Sequence, residues 1–128
     1  MILVVGGVYN GKLSFVQEQF NISEENICFC NDENIDFSKK VIYKFHKCIY
    51  MQRRNGNNPV DELCKIKEKL KDKIIICDDI SSGIVPLKKE ERLWREDTGR
   101  CLQILSKEAN IIYRVFCGIP TLIKNEEL

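Results

Sequence analysis

Three β-rich apolar runs constrain this chain more than any other feature: MILVVGG at residues 1–7, KIIICDD at 73–79 and NIIYRVFCGIP at 110–120. The first two are continuously apolar, as strands buried on both faces are, and each run stops at glycine or aspartate. Amphipathic stretches separate them. From Gly11, Leu13, Val16 and Phe20 fall on one helical stripe, with Glu18 on the other side. Ser38 reads as the N-cap of a helix through VIYKFHKCIYMQRR, where Ile42, Phe45 and Ile49 recur at helical spacing. Asn58 and Pro59 open another, PVDELCKIKEKLK, and KKEERLWREDTGRCLQILSKEA is a long one with Leu93, Cys101, Leu102 and Leu105 available for burial. A short further strand is expected at Ile27 to Cys30, with NDENIDFS, NGNN and ISSGIVPL as loops. Strands alternating with helices predict an α/β fold with a mainly parallel sheet and right-handed crossovers.

At 128 residues the chain is expected to form one domain, residues 1–128, able to bury a core without staples. Its net charge of +1 supplies no bulk attraction to nucleic acid or to an anionic membrane. The opening MILVVGG has no basic stretch before it and is too short to span a bilayer, so no signal peptide is expected and the cytoplasm is the expected location. The seven cysteines are odd in number, include no C-x-x-C pair and share the chain with a single histidine, His46. Zinc needs four well-spaced ligands, so these read instead as reduced cysteines used as small apolar residues. Cys28 and Cys30, in ICFC, would point to one face of a strand.

The junction between the first run and the first helix carries the chemistry. Gly6-Gly7-Val8-Tyr9-Asn10-Gly11-Lys12 satisfies G-x-x-x-x-G-K directly after a strand and before a helix. Glycines let successive N–H groups turn toward an anion, and the helix that follows adds its positive dipole end. Lys12 would set a cation against the β- and γ-phosphates of a nucleotide. Asp78 and Asp79 end a buried strand, where a carboxylate would hold or orient magnesium. Together these predict a P-loop NTPase-like three-layer fold. Leu13 departs from the pattern, because the hydroxyl that normally ligates Mg²⁺ is missing there. Ser14 is adjacent but rotated by about 100° around the helix, so it is no simple substitute.

Four blocks carry a resemblance: GGVYNGK, DDISSGIVP, RLWREDTGRCLQ and VFCGIP. In order and spacing they resemble the bifunctional adenosylcobinamide kinase / adenosylcobinamide-phosphate guanylyltransferase family of cobalamin synthesis and salvage. The family pattern has a G-G-x-x-S-G-K-S loop, N-E-V-G-x-G-I-V-P, R-x-F-R-D-x-x-G-R-x-N-Q and a strand ending G-I-P. Here Gly83, Ile84, Val85 and Pro86 match, as do Arg92, Arg95, Gly99, Arg100 and Gln103; Trp94 replaces an aromatic and Glu96 an aspartate. Asp78 and Asp79 stand at Asn-Glu, Leu102 at asparagine, and Asn10 and Leu13 at the two serines. A D-C-L-T-like segment, typical of the longer family members, has no counterpart.

The resemblance implies ATP or GTP as phosphoryl donor and the aminopropanol hydroxyl of adenosylcobinamide, a corrinoid, as acceptor. It implies Lys12 and the loop backbone at the phosphates, Asp79 acting through magnesium or as a base, and Arg92 and Arg95 as cations for phosphate or substrate. A homo-oligomer is a further implication. The family's guanylylated histidine sits in an H-R-x-x-R-P setting that FHKCIYMQRR does not reproduce, and His46 reads either as that residue or as a partly buried helix histidine. Three functional readings stay open: a compact cobinamide kinase with or without guanylyl transfer, a nucleotide-binding sensor or partner subunit that has lost catalysis, and a kinase of another small alcohol.

Overall fold

The first apolar run becomes the central strand. In the structure, a computed structural model that describes residues 1–32, 34–80 and 88–126, β1 (Ile2–Gly6) lies between β4 (Ile74–Asp78) and β5 (Ile111–Phe116) and runs parallel to both. β2 (Ile27–Phe29) and β3 (Val41–Tyr43) continue the parallel sheet beyond β4, and β6 (Ile119–Asn125) closes the other edge antiparallel to β5. The order among the described residues is β2-β3-β4-β1-β5-β6. The backbone N–H of Asp79 donates to the Gly6 carbonyl at 2.9 Å, so the carboxyl ends of β1 and β4 stay joined past the last strand residue.

Alternation along the strands sorts side chains into two cores. Leu3, Ile75, Cys77 and Ile112 pack with Phe45, Cys48 and Ile49 of α2 (Phe45–Arg54), Leu63 of α3 (Pro59–Ile66), and Cys101 and Leu105 of α4 (Lys89–Glu108). Val4, Ile74, Ile76 and Val115 take the other face, covered by α1 (Lys12–Phe20) through Val16, Leu13 and Phe20. One helix on one face and three on the other make the fold α/β, P-loop-like and three-layered, with a mainly parallel sheet. Each large side chain buried this fully contributes roughly 1.5–3 kcal/mol.

Two strands were not legible in advance. The helix expected from Ser38 through residue 54 is instead β3 followed by α2: Val41–Tyr43 slots between β2 and β4, and Ile42 is a strand residue whose spacing to Phe45 and Ile49 matches a helix by coincidence. Ser38 caps nothing; its hydroxyl and N–H both donate to the Asp36 carboxylate. β6 grows from a segment, IPTLIKN, whose side chains are mostly exposed, so no core pattern announced it. The α3 helix stops at Ile66 and hands over to a 3-10 turn, Lys67–Leu70, which delivers Leu70 into the core. Its start is as expected, with the Asn58 side chain accepting from the Val60 N–H at 3.0 Å.

All seven cysteines are free, and five are buried. A hydrogen bond with Cys48, followed by burial, pushes the Cys30 thiol far up, and burial pushes Cys101 up to about 12. Both stay protonated near neutral pH, as small apolar residues do. No helix among the described residues is long and apolar enough to cross a membrane. Gly83, Ile84, Val85 and Pro86, with the rest of the loop expected there, lie outside the described residues.

Candidate functional site

The turn after β1 depends on close backbone packing. A Cβ on Gly6 would lie 2.4 Å from the Val115 carbonyl oxygen of β5, so only glycine lets the two strands run this near. Tyr9 (φ 59°) and Gly11 (φ 80°) take left-handed backbone, and Gly11 is the N-cap of α1. The far side of the loop leans on the β5–β6 hairpin. Its two central residues, Cys117 (φ 50°) and Gly118 (φ 76°), are both left-handed, the geometry of a tight two-residue turn. Gly118 N–H donates to the Asn10 carbonyl at 2.9 Å and Cys117 N–H to the Asn10 side-chain oxygen at 3.4 Å.

Lys12, the first residue of α1, is only 5% exposed. Its ammonium donates to the Gly7 carbonyl at 2.6 Å and pairs with Asp78 Oδ1 at 2.7 Å. The other oxygen of Asp78 is 3.4 Å from His46 Nε2, and the Asp78 backbone N–H donates to His46 Nδ1 at 3.1 Å. An accepting Nδ1 leaves the proton on Nε2, facing the carboxylate. Burial pushes the His46 pKa down; the Asp78 carboxylate pulls it up, while the Lys12, Lys47 and Lys44 ammoniums push it down, and the net shift is downward. The imidazole is therefore neutral at pH 7. Trp94 of α4 stacks on it, with ring centroids 6.1 Å apart, and donates its Nε1–H to the His46 carbonyl at 2.7 Å.

These groups border a cleft of about 600 Å³, lined by residues 8–14, Tyr43, Lys44, His46, Lys47 and Asp78. Its size suits a small-molecule ligand. One wall is the glycine loop and the start of α1; the other is the β3–α2 turn. Lys44, between those two elements, has φ 62°, a strained conformation for a lysine, and its ammonium sits 5.4 Å from the Tyr43 ring centroid. Burial and then the Asp78 carboxylate raise the Tyr43 hydroxyl above its ordinary value of 10.0. Three lysines against one carboxylate make the cleft a site for anions.

A second cavity, about 490 Å³, opens between α2 and α4 and is lined by Tyr50, Arg53, Arg54, Glu90, Leu93 and Trp94. Behind it Arg53 grips the fully buried Asp97 with two hydrogen bonds, Nε at 3.0 Å and a terminal nitrogen at 2.9 Å. Trp94 lines this cavity and stacks on His46, which lines the first, so the pair touches both cavities.

Of the residues singled out in the sequence, Val8, Tyr9, Asn10, Gly11, Lys12, Leu13, Ser14 and Asp78 line the anion cleft, and Gly6 and Gly7 shape its floor. Asp79 ties β4 to β1 through its backbone. Arg92 is exposed and Arg95 half-buried on α4, and neither lines this cleft. His46 is more buried than expected and is drawn into the cleft by the β3–α2 turn. That turn, with Tyr43, Lys44 and Lys47, was missed. The signal for it is a β-branched triplet, VIY, running straight into FHK, a second strand-to-helix junction.

Among the described residues, two of the positions expected to serve magnesium, Leu13 and Asp78, offer it little. Leu13 offers hydrocarbon where a hydroxyl is needed, and both oxygens of Asp78 already face Lys12 and His46. Among the described residues no group of three or more His, Cys, Asp or Glu gathers to hold a metal.

The sequence model of one family, cobinamide kinase / cobinamide phosphate guanyltransferase, matches residues 38–123, two thirds of the chain. The matched span starts beyond the glycine loop, and it takes in the β3–α2 turn, β4, α4 and most of the final hairpin. No curated protein matches the chain.

Proposed function

The chain belongs to the cobinamide kinase / cobinamide phosphate guanyltransferase family, and from that premise we propose that it binds ATP or GTP in the anion cleft and transfers the terminal phosphoryl group to the hydroxyl of a cobinamide. One observation carries the reading: Lys12, nearly sealed from solvent, is folded onto the Gly7 carbonyl at the base of a glycine turn that opens a helix. A cation held there, beside the free N–H groups of the α1 start, is the arrangement that phosphates require.

On this reading Lys12 exchanges the Asp78 carboxylate for β- and γ-phosphate oxygens. Asp78, released at the end of β4, accepts the proton as the acceptor hydroxyl attacks the γ-phosphorus and the bond to the β-phosphate oxygen breaks. Asp79 is the second candidate for that base. Catalysis consists of orienting the two reactants and offsetting charge on the transferred group. The cavity beside Trp94 is the candidate acceptor site, since Trp94 stacks on His46, which lines the phosphate cleft.

Incubation with ATP or GTP and adenosylcobinamide is expected to give the phosphorylated corrinoid, and Lys12→Ala is expected to abolish it. Nucleotide binding without turnover would instead support a sensor, a reading that the Lys12–Asp78 pair and Leu13 favour. Guanylyl transfer is a further possibility because His46 lines the same cleft. Labelled GTP tests it, since a covalent label that survives His46→Ala excludes this histidine as the carrier.

A further inference from the structure

We infer that Lys44 and Lys47, across the cleft from the glycine loop, balance the charge of the bound polyphosphate in place of a protein-ligated magnesium ion, so that nucleotide binding depends little on magnesium. This rests on the nucleotide reading of the same cleft and concerns how that site holds its ligand.

The two halves of the site make the case together. On the loop side, the position that normally supplies a metal-binding hydroxyl is Leu13, and Asp78 is engaged by Lys12 and His46. A metal gains little from Leu13, which has no lone pair, or from an Asp78 carboxylate already shared between Lys12 and His46. On the opposite side, Lys44 and Lys47 line the cleft at the entrance to α2, with the Lys47 N–H donating to the Lys44 carbonyl at 3.0 Å. Together they carry the charge of one divalent cation. Lys44 is held in place rather than free to swing: its backbone is left-handed, β3 ends on one side of it and α2 starts on the other, and its ammonium rests against the Tyr43 ring. His46 between them is neutral, so it does not add to the repulsion of the two ammoniums. A cationic wall facing a phosphate loop, with Lys44 held against Tyr43 and Lys47 exposed beside it, complements a polyphosphate.

The test is calorimetric titration of ATP and of GTP, each with magnesium and with EDTA, into the wild type, Lys47→Gln, the double variant Lys44→Asn/Lys47→Gln, and the distal control Lys65→Gln. Asparagine is chosen at position 44 because it tolerates left-handed backbone, and thermal melting checks that each variant is folded. The wild type and the control are expected to bind with affinities that differ by less than about threefold between magnesium and EDTA. Each lysine removed should weaken the EDTA arm by about tenfold, the usual worth of a charge-assisted phosphate contact, and magnesium should recover part of that loss. If wild-type affinity collapses in EDTA, or if folded Lys47→Gln binds like wild type in both arms, the cationic wall is not what offsets the phosphates. If the wild type binds neither nucleotide in either arm, the nucleotide reading itself fails and takes this inference with it.

Discussion

Lys12 and Asp78, one opening α1 and the other ending β4, are joined by a 2.7 Å ion pair inside the cleft that is proposed to receive phosphates. A ligand can reach Lys12 only by breaking that pair. Asp78→Asn is therefore expected to tighten ATP or GTP binding by on the order of tenfold, about 1.4 kcal/mol, while phosphoryl transfer falls by at least about a hundredfold through loss of the base. Titration and product assay on the same preparation check both. Tighter binding with full turnover would remove Asp78 from the chemistry.

Gly6→Ala is expected to be among the most damaging substitutions in the loop, because its Cβ would meet main-chain oxygen of β5 rather than a side chain able to swing away. Strand separation of this kind costs about 2–4 kcal/mol. Gly56→Ala, also at positive φ but with open space around it, should cost only about 1 kcal/mol. Chemical denaturation of the two variants compares them, and equal losses would mean that the β1–β5 approach is not tight.

His46 makes stability depend on pH. The folded protein holds its pKa below the ordinary 6.5, chiefly through burial, so the unfolded chain takes up the proton first. The contribution is complete above 6.5 and is lost as pH falls through the lowered value. Melting temperature is expected to drop as pH falls below 6.5 toward the lowered value, and His46→Gln should flatten the drop whatever its effect at pH 7. An unchanged slope would show that the imidazole is not buried as a neutral group.

Two adjacent buried positions on α4 should respond in opposite senses. Asp97 is wholly buried and paired with Arg53, whose guanidinium water still reaches, so Asp97→Ala removes two charge-assisted hydrogen bonds and is expected to cost about 1.5–3 kcal/mol. Thr98 Oγ1 is buried with no hydrogen-bond partner among the described residues, so Thr98→Val removes a desolvated hydroxyl and should be neutral or stabilising by about 1 kcal/mol. Urea unfolding curves for both variants are the measurement.

The sequence disclosed the parts of this molecule whose residues are buried on both sides. β1 and β4 are apolar runs because helices cover both faces of the sheet. β5 shows through Ile112 and Val115 although Arg114 and Phe116 are exposed, and α4 shows its stripe because its other face meets solvent. β3 was lost because three residues are too few to display a period of two, and because Ile42, Phe45 and Ile49 imitate a period of 3.6 across a strand–helix boundary. β6 was lost because an exposed edge strand needs no apolar alternation. In the site, the glycine turn and Lys12 were legible as a contiguous motif. The opposing wall was not, since Tyr43, Lys44 and Lys47 meet the loop only after the chain has folded. The nearness of Asp78 to Lys12 follows from β1 and β4 being neighbours, a pairing that no local pattern encodes.

The hairpin turn that steadies Asn10 lies 107 positions further along the chain. On a ribosome, then, the glycine turn waits, unbuttressed, until the residues 107 positions further on have been made. An early folding intermediate lacking β5 and β6 would hold the glycine turn without the hairpin that steadies Asn10. Competence for anions should therefore arrive with β5 and β6 rather than with the motif that signals it.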